Sequence, residues 1–444
     1  MVSRRPRTTG EIYIGVLIAM GIFVILSQAI VFLSSTAYEL IGFTRARTTA
    51  QLLVNEKLET LRNLPFANVG TTGGIPSGPL PSTEYVDRNG LRYTVTTTVI
   101  YVDDSFDGTA PTDLTPNDYK RARVQASWSG IGRGSSTITG TTDIAPKGVE
   151  QSLGGGTLSI LVFDSSGVPV PQATVTIKAP TASPAVDLTL TTNDNGRIVL
   201  PGAPACSSCY NITATKSGYS TDTTYTTAQV ANPSRPPLTV LTGKLTETSF
   251  AIDRTGSITL TSLDSRINSF ALLPSQSFLV TGGKIIGTTT LDQPVYKYNQ
   301  TITTSAAGTY ALNNLEWDTY TITTATASSR VRSGSNNVLP ITVLPSVSTS
   351  LSVVLSTKPQ NSLLLAFVDD TKNLIASVSA QISSGSFVAT ASAGLSGSPD
   401  VGHVFFDLPS SGTYTVTASA SGYLQTTTSI SVNGNKEDSI TLSP

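Results

Sequence analysis

The sequence predicts a long N-terminal α-helix, transmembrane at first and amphipathic after, with a small α+β head. An all-β body of three Ig-like β-sandwich domains in tandem is expected to follow. One basis is a stretch, residues 12–33, without a single charged side chain. Another is a chain rich in Thr, Ser, Gly and Val beyond it, residues that suit pleated, half-buried surfaces and turns. The last is a strand-rich pattern recurring about every 85–105 residues, the size of a β-sandwich.

Composition bounds the function. At 444 residues the chain exceeds one ordinary domain. Its hydrophobic content of 39% is enough to build cores, which argues against wholesale disorder. Charged residues make up 13% and the formal net charge is −1. Such a chain has no general attraction for nucleic acid or acidic membranes, so no direct nucleic-acid partner is expected.

The first ten residues, MVSRRPRTTG, carry Arg4, Arg5 and Arg7 and no acid. From Ile12 to Leu33, about 22 helical residues span roughly 33 Å, the thickness of a bilayer's hydrocarbon. Arginines before such a span predict the N-terminus inside and everything downstream outside. A cleaved secretory signal would be shorter and would end in a small-residue cleavage site. Here the pattern runs on through residues 37–64 without a proline. Ala50, Leu53, Val54, Leu58, Leu61 and Leu64 fall at helical spacing, with Glu56, Lys57, Glu59 and Arg62 between them. One helix from about 11 to 64 is expected, ended by Leu64-Pro65.

This basic leader, glycine and two-part helix resemble the N-terminal region of type IV prepilins and pseudopilins. The resemblance implies that a prepilin peptidase cuts after Gly10 and methylates the amine of Glu11. Residues 1–10 would then be a leader, and other pilin-like subunits would be partners through the helix. One position departs from the family, which usually carries glutamate at the fifth mature residue, here Gly15. That carboxylate is thought to neutralise a neighbour's terminal amine, since an unpaired buried charge is expensive. Two readings stay open: Glu11 takes over the pairing, or the subunit does not stack beneath another. A plain single-pass anchor is a further alternative.

Residues 65–84 read as a turn-rich loop. Strands are expected at Leu91–Val102, Tyr119–Trp128 and Ser135–Thr142, completing a helix-on-sheet head over 11–150 that ends near Pro146–Gly154. The repeats begin at Gly156, Gly256 and Asn361. Second signatures follow at 209–221, 308–327 and 412–432, dividing the body into 155–253, 254–358 and 359–444. These units resemble the carboxypeptidase regulatory-like family of transthyretin-like sandwiches. The first matches at Gly167-Val168-Pro169-Val170, Ala173, Val175, Asn195-Gly196 and Lys216-Ser217-Gly218-Tyr219. The third matches at Gly412–Tyr414 and Ser421-Gly422-Tyr423, and the middle unit is the most diverged. Despite its name, the family is an accessory module and implies no peptidase activity.

Little in the chain points to catalysis. The one histidine, His403, reads as a strand residue rather than a metal ligand, and no nucleophile elbow, phosphate loop or zinc-protease motif occurs. Non-enzymatic function is the expectation. Cys206-Ser-Ser-Cys209 reads as a small disulfide pinning the turn before a strand at Tyr210–Thr215. Free thiols are the alternative, since redox or metal sites would need context that is absent. Asp103, Ser105 and Asp107, followed by Gly108 and with Asp113 beyond, resemble the opening of a calcium loop. The usual glutamate at position 12 is Leu114, and an acidic solvated turn is the competing reading. Apart from that calcium no cofactor is expected. The whole reads as a minor filament subunit at or near a tip, membrane-anchored with its C-terminal part outside. Its sandwiches would form a stalk or meet an unidentified surface, carbohydrate or protein ligand. The runner-up readings are a single-pass adhesin outside any filament and a pseudopilin of a secretion or DNA-uptake system.

Overall fold

The computed structural model describes residues 9–102, 104, 118–130, 136–146 and 155–444, with backbone alone at 9–13 and 15. One long apolar N-terminal helix is followed by a body built of many sheets. Helix α1, Thr9–Asn63, has 55 residues and a length of about 82 Å. It stops one residue short of the expected end, just before the helix-incompatible Leu64-Pro65 step.

The amphipathic half of α1 seats Ala46, Ala50, Leu53, Val54, Leu58 and Leu61 on a sheet. That sheet comprises β1 (Thr83–Arg88), β2 (Leu91–Val102), β3 (Tyr119–Trp128) and β4 (Ser136–Ile144), antiparallel in the order β1-β2-β3-β4. Alternation explains the face chosen: Tyr93, Val95 and Val99 of β2 and Ala122, Val124, Ala126 and Trp128 of β3 all point into the helix. The β1–β2 hairpin turns at Asn89-Gly90, both with positive φ (54° and 78°). The sequence does not announce strand β1, because its side chains are mostly exposed and offer no apolar alternation. Helix and sheet pack closely at Gly140 of β4. A Cβ there would lie 2.6 Å from Val54 Cγ1 and 2.9 Å from Leu58 Cδ1, so only glycine lets the helix so close.

The body repeats one pairing scheme three times. Each unit's opening strand runs parallel to its last: Gly156–Phe163 with Leu245–Ala251, Gly256–Asp264 with Ser348–Thr357, and Asn361–Val368 with Asn435–Thr441. In each opposite sheet the second strand lies between two antiparallel neighbours. These central strands are Thr174–Ala179, Ser277–Gly282 and Ser379–Ser384. The middle unit, most diverged in sequence, keeps the same pairing. A tyrosine does the same work in each second signature. Tyr210, Tyr320 and Tyr414 are buried, and their hydroxyls donate to Pro204 O (2.7 Å), Glu316 O (3.0 Å) and Ser410 O (2.7 Å). A buried phenol needs an acceptor, and a carbonyl a few residues upstream supplies it, as in the tyrosine corner of Ig-like sandwiches.

Candidate functional site

The helix changes character along its length. Between Ile14 and Ile41 its described large apolar side chains, including Leu17, Phe23, Ile25, Val31 and Phe32, are all exposed. This part is long and apolar enough to cross a membrane, with a mean hydropathy of 2.7 in its most apolar window, none of which is buried. Exposed Arg45 and Arg47 follow it, just where the buried stripe begins at Ala46. Gly10, Glu11 and Gly15 all lie on the helical backbone.

A buried lysine fixes the exit of α1. Lys120 of β3 is 1% exposed, and its Nζ donates to Phe66 O (2.7 Å) and Val69 O (2.8 Å). It also sits over the rings of Phe66 and Tyr101. Burial pushes its pKa down to about 8 and that of the Tyr101 phenol up to about 12.

Each junction between units is braced. Ile75 of the head is buried in the first sandwich's core, and Tyr101 packs against the same cluster. Between the first two sandwiches the bracing is by backbone. Asn232–Pro233 pairs with Ile285–Thr288, and Ser234 N donates to Ile286 O (3.0 Å). Lys297 Nζ reaches across to Thr221 O (2.6 Å) while pairing with Glu316, which also holds Lys284.

Between the second and third sandwiches the bracing is by side chains. Arg266 donates through Nε (2.9 Å) and Nη2 (2.6 Å) to Asp400, whose carboxylate is 8% exposed. Arg332 grips Glu437, and its Nη1 donates to Ser335 Oγ (3.2 Å). His403, 2% exposed, opens the strand His403–Leu408. Its Nδ1 lies 2.8 Å from Val401 O and its Nε2 3.4 Å from Ser335 Oγ of the preceding sandwich. Burial, with a smaller contribution from Arg332, pushes its pKa down to about 4. His403 is thus a strand residue, as its sequence context indicated, and also a junction residue, which that context did not reveal.

Cys206 and Cys209 are disulfide-bonded, with Cα atoms 6.0 Å apart. They lie inside the strand Cys206–Thr215 rather than in a turn before Tyr210, because Ser208, at φ 49°, takes up the irregularity as a bulge. Asp103, Ser105, Asp107 and Asp113 lie outside the described residues. Among the described residues no group of three or more His, Cys, Asp or Glu side chains converges on one point.

Residues 157–241, the first sandwich, match the carboxypeptidase regulatory-like domain, the family that their Gly-x-Pro-Val and Gly-Tyr patterns resemble. No curated protein sequence matches the chain. Among solved structures, the TIE protein of Bacillus anthracis is 14% identical with a TM-score of 0.19, covering 82% of this chain and 73% of that one. The minor pilin GBS52 of Streptococcus agalactiae is 15% identical with a TM-score of 0.16, covering 43% of this chain and 96% of that one. The major pilin subunit BcpA of Bacillus cereus is 12% identical with a TM-score of 0.16, covering 65% and 99%.

Proposed function

We propose that this chain is a minor, type IV pilin-like subunit of a surface filament, anchored and assembled through α1 and carrying its sandwiches outward. We assign it no catalytic role. One observation carries the reading: the large apolar side chains described from Ile14 to Ile41 are all exposed, while the next four turns of the same helix bury an apolar stripe against the sheet. Apolar surface of that extent requires a bilayer or neighbouring apolar helices. The leader with Gly10 supports processing by a prepilin peptidase, leaving Glu11 first. Gly15 in place of the family's glutamate supports a position at or near the tip, where no subunit above needs its amine neutralised. The same feature favours the second reading, a single-pass surface adhesin outside any filament.

Immunogold labelling of intact cells separates these. Gold at filament ends supports the tip subunit, and gold confined to the cell envelope supports the adhesin. Labelling along whole filaments that is lost with Glu11→Gln would make Glu11 the assembly residue and overturn the tip position.

A further inference from the structure

We propose that the body is a load-bearing tether, its three sandwiches held shut under tension by the parallel pairing of their first and last strands. This inference rests on the anchored, outward-facing role given above, which puts any pull on the body between its two ends. Among the described strands, parallel ladders occur only between first and last. Seven residue pairs join Gly156–Phe163 to Leu245–Ala251, eight join Gly256–Asp264 to Ser348–Thr357, and seven join Asn361–Val368 to Asn435–Thr441.

Geometry decides how such a pairing meets force. A pull enters each sandwich at the start of its first strand and leaves at the end of its last. In a parallel pair those two points lie at opposite ends of the ladder, so the pull runs along the strands and loads every rung together. An antiparallel hairpin pulled at its open end is loaded one rung at a time. The load also passes directly from ladder to ladder, because only residues 252–255 and 358–360 separate one unit's last strand from the next unit's first.

Each ladder carries a side-chain tie on one of its own residue pairs. In the first sandwich Arg197 Nη1 donates to Ser159 Oγ (2.6 Å) and to Glu247 Oε1 (3.3 Å), two residues that sit opposite each other. Ser257 Oγ donates to Ser348 Oγ (2.8 Å) in the second, and Ser362 Oγ to Asn435 Oδ1 (2.7 Å) in the third. The latter two pairs open their ladders, where the pull enters. Forced unfolding follows the unfolding rate rather than equilibrium stability, so a tie on the loaded ladder counts for more under tension than one elsewhere.

The test is single-molecule force spectroscopy of the full chain in detergent micelles, with handles on pairs of substituted cysteines. Cys206 and Cys209 are bonded to each other and take no handle. One pair, Gln360→Cys with Ser443→Cys, pulls along the third ladder. The other, Gly412→Cys with Ser431→Cys, opens the hairpin of Gly412–Ser419 and Thr426–Val432 from its end. All four sites are exposed, and a Cβ at Gly412 meets nothing within 4 Å. At equal loading rates the first pair should rupture at several-fold higher force than the second. Ser362→Ala should lower the first force and leave the second unchanged. Arg254→Cys with Ser443→Cys loads the second and third sandwiches in series and should give two ruptures, both at high force. Thermal melting checks that each variant is folded. Equal forces in the two directions, or a rupture at the hairpin force in the series pull, overturns the proposal. So does a Ser362→Ala loss of the same size in both directions, which is lost stability rather than a lost tie. The pull is imposed at chosen residues, so the outcome is independent of immunogold labelling, and the tether and the filament reading fail separately.

Discussion

The two halves of α1 share one backbone and opposite surroundings. From Ala46 to Leu61 the helix keeps a buried stripe, and its charged residues point away from the sheet or pair at its rim, as Lys57 does with Glu84 at 2.7 Å. From Ile14 to Ile41 the same geometry presents apolar side chains in every direction to nothing. A one-sided apolar stripe finds its partner within its own chain, whereas an all-round apolar surface needs one from outside. The difference locates folding in one half and, on the function proposed above, assembly in the other.

The largest way to break that comparison is a cavity in the packed half. Leu61→Ala removes a fully buried side chain and should lower the stability of the head by about 2–5 kcal/mol. Urea denaturation of the detergent-solubilised chain measures it.

The next largest effects come from pH, and they separate the head from the body. The folded-state pKa of His403, about 4, lies below its ordinary 6.5. The unfolded chain therefore holds the extra proton between those values, and stability falls as pH drops through that window. The loss should approach about 3 kcal/mol at pH 4, and His403→Gln should flatten it. Lys120 acts at the other end of the scale. With a folded-state pKa of about 8 against an ordinary 10.5, it should make the head more stable as pH rises from 8 towards 10. Two carbonyls receive its Nζ, and a neutral amine still has two protons to give them. Lys120→Met should abolish the slope, as read by urea midpoints at pH 8 and 10.

Overpacking comes next. Gly140→Val places methyl groups where Val54 and Leu58 already sit and should destabilise the head by about 1–3 kcal/mol. The smallest effect sharpens the comparison. Leu26→Ala, in the exposed half, should leave the head's unfolding within about 0.5 kcal/mol of the parent's.

How much of this was legible in the sequence follows from which interactions are local. Strands β2 and β3 fell where alternation in LRYTVTTTVIYV and YKRARVQASW placed them, because each buries one face. Strand β1 is not legible, since a strand with a largely exposed face shows no such alternation. The middle sandwich was recognisable by period more than by pattern, and the reason is now physical: its parallel first–last pairing and Tyr320 survive where the glycine and proline signature does not. The junction site was not legible at all. Arg332 meets Glu437 across 105 residues and His403 meets Ser335 across 68, and no local spacing reports such a meeting. A lone histidine between a glycine and a valine carries no sign that its ring will close a gap between domains.

Where the mature chain starts is the most direct test of a pilin-like helix. Mass spectrometry of the protein recovered from the cell surface should find an N-terminus at Glu11, with the amine methylated, and the apolar half of α1 intact behind it. Recovery of a chain starting at Met1, or one starting beyond residue 33, would contradict a pilin-like helix and leave a plain anchor or a secretory signal in its place.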